Sequence, residues 1–119
     1  MGHGVAGQAP QAHLDAAAAE AVAETLSALT APSRLLILGR LRRGPTTVNE
    51  LSEDVGMEQS AVSHQLRLLR TLGLVTRQRS GRSAVYSLYD DHVSSLLDEA
   101  VYHAEHVRLG VPDRTSERA

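Results

Sequence analysis

Between Thr47 and Leu88 the sequence packs helix starts, turns and strand-like alternation so closely that few architectures can hold them. Thr47 and, three residues on, Glu50 have the pattern of a capping box, in which the cap hydroxyl takes an orphan amide and the carboxylate returns to the cap. Val48, Leu51 and Val55 then keep one apolar face, and Gly56 supplies the residue that ends a short helix. A second amphipathic segment begins near Glu58 and runs to Leu72, with Val62, Leu66 and Leu69 on its buried side, before Gly73 stops it. Two strand-like runs follow, Leu74 to Arg79 and Ser83 to Leu88, joined through Ser80, Gly81 and Arg82 as in a hairpin with glycine at the turn.

The flanks are helical. From Leu14 the apolar positions 14, 18, 22, 26 and 29 keep helical spacing through an alanine-rich segment that stops before Pro32. A helix over about Ser33 to Arg43 carries Leu35, Leu36, Ile37, Leu38 and Leu41, dense enough to be central to the core, and Gly44-Pro45 ends it. A last helix covers 91–108. Residues 1–13 have no period and read as a flexible arm, 14–108 as one domain, and 109–119 as a flexible polar tail.

At 12.8 kDa the chain forms a single domain that buries a limited share of its surface, so a partner chain would complete its core. With no cysteine, disulfides and thiolate metal sites are both excluded. No apolar run reaches the roughly 18 residues that span a bilayer, and the N-terminus lacks signal-peptide architecture. Met1-Gly2 opens like a myristoylation site, but Ala6 stands where Ser or Thr is wanted. A cytoplasmic protein with no membrane partner is expected. The net charge of -2 hides an asymmetry, since all 12 basic residues are arginine and nine of them lie between Arg34 and Arg82 against four acids. That middle, at +5 against -7 for the flanks, is the phosphate-facing part.

Helix, tight turn, helix and hairpin make the winged helix-turn-helix plan, in which the second helix enters the major groove of double-stranded DNA. Gln59, Ser60, Ser63 and His64 lie on the outward, N-terminal part of that helix and offer the mixed donors and acceptors that base edges require. Arg67, Arg70, Arg77, Arg79 and Arg82 would neutralise phosphates, with Arg82 at the wing tip best placed for the minor groove. Three tyrosines and neither Phe nor Trp make a single-strand stacking platform a poor fit.

The last helix poses a separate question. At about 100° per residue, His92, Glu99, His103 and His106 fall within roughly 60° of one another, in one stripe. At about 1.5 Å per residue, however, His92 and His103 are roughly 16 Å apart along the axis, whereas ligands on one ion with bonds of about 2.1 Å lie within about 4 Å of each other. One helix cannot close such a site. Two copies packed antiparallel can, by bringing Asp90 and His92 of one chain to His103 and His106 of its partner at two equivalent sites. Val93, Leu96, Leu97, Ala100, Val101, Ala104 and Val107 border the stripe as an apolar seam, so a homodimer built on the N- and C-terminal helices is expected. The competing reading, solvated histidines beside an amphipathic face, suits a lone His better than four ligands in register. An Asp/His3 set suits Zn(II), Ni(II) or Co(II) more than Cu(I).

The run Glu58-Gln-Ser-Ala-Val-Ser-His-Gln-Leu-Arg-Leu-Leu-Arg70, the wing Gly81-Arg-Ser-Ala-Val-Tyr-Ser-Leu88 and the stripe of Asp90, His92, His103 and His106 together resemble the ArsR/SmtB family of metal-sensing repressors. The resemblance covers roughly residues 14–108 and implies a homodimer released from its operator by metal bound across the dimer. The family's thiolate site has no counterpart in Glu50 to Gly56, which disfavours arsenic and cadmium. Met1-Gly2-His3-Gly4 resembles the start of the nickel/cobalt branch, where N-terminal residues are implicated as ligands. Removal of Met1 would leave the Gly2 amine beside the His3 imidazole, two donors that raise four ligands to six and favour octahedral Ni(II) or Co(II) over tetrahedral Zn(II), the alternative. Other classes remain: a winged-helix regulator answering a non-metal signal, a metal-storage protein without need of Gln59 to His64, or a metal hydrolase, for which no base or nucleophile pattern is present. An enzyme is not expected.

Overall fold

The computed structural model describes residues 13–110. Gly2, His3 and positions 111–119 of the tail lie outside the described residues. Five helices and one hairpin follow in the order α1 Ala16–Ser27, α2 Pro32–Arg42, α3 Val48–Val55, α4 Gln59–Thr71, β1 Val75–Ser80, β2 Ser83–Leu88 and α5 Asp91–Leu109. This is the expected class, mainly helical with a two-stranded antiparallel sheet.

Local chemistry sets most of the boundaries. Asp15 caps α1 by accepting the Ala18 amide at 2.8 Å, and Pro32 opens α2, where a missing N–H costs nothing. Gly56, at φ 71°, closes α3 and turns its amide back to the Ser52 carbonyl at 2.9 Å; a residue with a Cβ would be strained there. The capping box at α3 forms by half. Thr47 Oγ1 accepts the Glu50 amide at 3.3 Å, but the Glu50 carboxylate accepts the buried Thr46 hydroxyl at 2.8 Å rather than returning to the cap. Thr46 in turn exchanges both backbone hydrogen bonds with Tyr86, at 3.0 and 2.8 Å, and so ties the start of α3 to the wing.

The hairpin turn is tighter than expected. Ser80 pairs with Ser83, which leaves only Gly81 and Arg82 in the loop, and β1 starts at Val75 because Leu74 instead places its amide on the Leu69 carbonyl. Gly81, at φ 64°, supplies the left-handed residue such a turn needs.

The core gathers Ile37, Leu38 and Leu41 of α2, Leu51 of α3, Val62, Leu66 and Leu69 of α4, Leu74, Val75 and Tyr86 around the wing, and Val93 and Leu97 of α5. Two expectations need correction. Leu35 and Leu36 are not central to it: they are 40% and 56% exposed, because a helix that presents Ile37, Leu38 and Leu41 inward turns its neighbours outward. Nor does α1 reach Leu29, the last apolar position of its expected run. It ends at Ser27, residues 28–31 turn the chain, and α1 meets α2 at 85° with no residue of its own buried. Leu14, Val22 and Leu26 are therefore exposed. Among the described residues no single helix is long and apolar enough to cross a membrane.

Candidate nucleic-acid interface and metal-ligand stripe

Helix α4 is amphipathic, with Val62, Leu66 and Leu69 fully enclosed. On its other side Gln59, Ser60, His64 and Arg67 are exposed and Ser63 is half-buried. The burial of one side therefore presents the other, as the helical period requires. Gln65 lies between these faces and accepts Arg34 Nε at 2.8 Å, which fixes the rotation of α4 against α2. Arg82 is exposed at the hairpin tip beside Gly81. Arg67 and Arg70 of α4 and Arg77 of β1 line one open cleft.

At the other end, Asp90 is the N-cap of α5. Its Oδ1 accepts the amides of His92 at 3.0 Å and Val93 at 3.3 Å, and its Oδ2 lies 3.1 Å from His92 Nδ1. The hydrogen bond from the His92 ring, joined by those amides, holds the Asp90 carboxyl below the usual carboxylate range, so it is an anion at neutral pH. A carboxylate only accepts, so this contact needs the proton on His92 Nδ1, the tautomer that leaves Nε2 as the ligating nitrogen. His106 repeats the arrangement: its Nδ1 donates to the Tyr102 carbonyl at 3.1 Å, and the Tyr102 ring meets it edge-on with centroids 4.3 Å apart. A protonated Nδ1 engaged by an oxygen, with Nε2 as the donor atom, is the state in which histidine binds a metal. His103 is exposed on the same helix. The donor set thus fits a borderline-hard divalent ion.

Among the described residues no three His, Asp or Glu side chains converge on one point, as the helix rise requires of a single chain. Asp90 and His92 are together; His103 and His106 form a second group roughly three to four turns on. Gly2 and His3 lie outside the described residues.

Two long-range links have no signature in the sequence. Arg34 with Gln65 is one. The other joins α2 to the middle of α5, where Arg42 Nε and Nη2 grip the two Asp98 carboxylate oxygens at 3.0 and 2.9 Å. This bond holds Asp98 below its ordinary pKa and raises that of Arg42. Only Val93 and Leu97 of α5 are buried, so its first half is fastened to the winged unit while residues 99–110 are exposed, apart from a half-buried His106. Val101 and Val107 are 62% and 66% exposed, and an apolar groove of about 260 Å³ opens between α2 and α5 beside Leu35, Leu97, Val101 and Ala104.

Known proteins match this arrangement along the chain. The pattern of the family described as "Bacterial regulatory protein, arsR family" matches residues 31–77. The HTH-type transcriptional regulator NmtR of Mycobacterium tuberculosis is 64% identical over 96% of this chain and 96% of its own. A transcriptional repressor SmtB homologue of Synechocystis is 44% identical over 73% of this chain and 66% of its own length. The solution structure of apo-NmtR superposes with a TM-score of 0.71 at 63% identity, covering 96% of this chain and 97% of that one. A homodimeric winged helix-turn-helix DNA-binding domain from Mycobacterium bovis gives 0.76 at 27% identity, over 91% of this chain and all of that one. With α3, α4 and the hairpin in the winged arrangement and a regulator matched along nearly its full length, the chain belongs to the arsR family of bacterial regulatory proteins, DNA-binding transcription regulators and not enzymes.

Proposed function

We propose that the protein is a homodimeric repressor that leaves its operator when Ni(II) or Co(II) is held by Asp90 and His92 of one chain and His103 and His106 of the other. The observation that carries the metal reading is the pair of engaged Nδ1 atoms, His92 on the Asp90 carboxylate and His106 on the Tyr102 carbonyl, since each directs the ligating lone pair to Nε2. The exposed apolar faces of α1 and of α5 beyond Leu97 support the dimer, because a chain this small gains most by covering them with a second copy. When bound, the ion supplies a cross-link between the two α5 helices.

The protein's own residues convert that cross-link into a change at the DNA. Asp90 follows β2 by two residues and caps α5, so the ligand pair sits on the join between wing and helix. The Tyr89 amide bonds the Leu74 carbonyl at 3.0 Å, and Arg42 with Asp98 fastens α5 to α2. A shift of α5 is therefore passed to the unit that carries Gln59, Ser60, Ser63, His64, Arg67 and Arg82 toward DNA. Metal and operator then disfavour each other equally, by about 1 to 3 kcal/mol. In the arm of residues 1–13, the Gly2 amine and His3 complete six donors and select Ni(II) or Co(II); four donors alone suit Zn(II). Such a regulator works in the cytoplasm.

The test is fluorescence anisotropy of a labelled duplex, enriched by the protein from a random library, with and without Ni(II), Co(II) and Zn(II). Affinity is expected to fall by roughly 5- to 150-fold with the cognate ion. Unchanged affinity with every ion overturns the metal reading, and a zinc response alone assigns Zn(II). Deleting residues 2 and 3 weakens the nickel response more than the zinc response; equal losses refute the role of the amino terminus.

A further inference from the structure

Two of the three histidines on α5 have Nδ1 engaged by an oxygen that the chain itself supplies: His92 by the Asp90 carboxylate and His106 by the Tyr102 carbonyl, each at 3.1 Å. His103 differs. Among the described residues neither of its ring nitrogens has a hydrogen-bond partner, and its side chain is exposed. In water such a ring samples both tautomers, and the one with its proton on Nε2 blocks the nitrogen that His92 and His106 leave open. His103 therefore lacks the acceptor that its two companions have.

The acids of α5 and its cap narrow the choice to one. Asp98 is gripped through both carboxylate oxygens by Arg42, and Glu105 is held by Arg108 at 2.8 Å. Asp90 is occupied too, with Oδ1 on two backbone amides and Oδ2 beside His92. Asp91 stands 12 residues before His103, about 18 Å along the axis. Glu99 remains: it is exposed, and among the described residues it has neither a hydrogen bond nor an ion pair.

Glu99 precedes His103 by four residues, so the two are neighbours on the helix surface, about 6 Å apart along the axis and roughly 40° around it. Helical side chains lean toward the N-terminus, which lays the His103 ring over the turn that carries Glu99. We propose that Glu99 is the positioning residue for His103. Its carboxylate accepts the Nδ1 proton and directs the Nε2 lone pair to the ion held with Asp90 and His92 of the other chain. This rests on the reading of His103 as a ligand and gives Glu99, on the same stripe, a role of its own. Glu99 does not ligate, since Asp90, the three histidines, His3 and the Gly2 amine already make six donors.

The test compares the full chain with Glu99→Ala and Glu99→Gln. Both residues suit a helix, and both remove the same charge, but glutamine keeps an oxygen that accepts a hydrogen bond. The first readout needs no metal: long-range proton–nitrogen NMR of histidine-labelled protein, with neutral imidazoles and the His103 signals assigned by their loss in His103→Ala. Wild type and Glu99→Gln are expected to hold the proton on Nδ1, and Glu99→Ala to move to the Nε2-protonated form that free histidine favours in water. The second readout is Ni(II) affinity, expected to fall roughly 10- to 100-fold in Glu99→Ala and to be largely retained in Glu99→Gln. A wild-type His103 with its proton on Nε2 overturns the proposal, as does a Glu99→Ala protein with unchanged tautomer. Equal losses of Ni(II) affinity in the two variants overturn it as well, and assign Glu99 to ligation or to charge alone. If the wild-type chain binds no divalent ion, the metal reading itself fails, a result distinct from the tautomer outcome.

Discussion

Alanine in place of His92 removes the response of DNA affinity to metal and leaves metal-free DNA affinity unchanged. The side chain is 57% exposed, so its loss opens no cavity. The Asp90 cap survives, because Oδ1 takes the backbone amides of positions 92 and 93, which alanine keeps. What goes is the Nε2 donor and, with it, the coupling of about 1 to 3 kcal/mol between ion and operator. Two anisotropy titrations, with and without Ni(II), read the difference directly. A variant that still loses DNA affinity on adding Ni(II) would remove His92 from the site. A variant that fails to bind DNA without metal would mean that His92 supports the fold.

Leu66→Ala has a larger effect on stability and a different signature. Leu66 is 0% exposed in the middle of α4 and belongs to the core cluster that also takes in residues of α2, α3 and the wing. Truncation there removes buried methyl groups and leaves a void, which costs about 2 to 5 kcal/mol in well-packed cores. Against a total of about 5 to 15 kcal/mol for a domain, that is enough to unfold a large share of the protein. Metal-dependent and metal-free DNA binding fall together, because α4 presents its polar face only while its apolar face is buried. Urea unfolding followed by circular dichroism, at matched protomer concentration since a dimer's stability depends on it, gives the magnitude. A loss below about 1 kcal/mol would mean that the α4 core repacks around the change.

Much of this architecture was legible from residues with strong local preferences. Thr47, Gly56, Gly73 and Gly81 mark turns that local chemistry dictates, and Val62, Leu66 and Leu69 mark the inward side of α4 by period alone. The misjudged places are those where a distant partner decides. Glu50 has the spacing to return to Thr47, yet Thr46, drawn in by Tyr86 of the wing, offers it a buried hydroxyl instead. Leu35 and Leu36 look like core until Ile37, Leu38 and Leu41 choose the inward face; composition counts apolar residues but does not orient them. The bonds of Arg34 to Gln65 and of Arg42 to Asp98 span 31 and 56 residues, separations that leave no periodic trace. For the stripe, spacing places four Asp and His side chains too far apart along α5 to meet within one chain. The engagement of the Nδ1 atoms of His92 and His106 comes from the helix cap and the helix backbone, which only the folded chain supplies.

The central claim, that each metal site is divided between two chains, is tested most directly by a mixed dimer. One chain carries His92→Ala and the other His103→Ala, with different affinity tags so that the mixed species is purified alone. In an antiparallel dimer both lesions fall on the same site, and the second site keeps wild-type His92 from one chain and wild-type His103 from the other. Metal content and tight Ni(II) binding are measured for the mixed dimer and for both variant homodimers. The account predicts one restored tight site per mixed dimer and none in either homodimer. A mixed dimer that binds no better than the homodimers would contradict it.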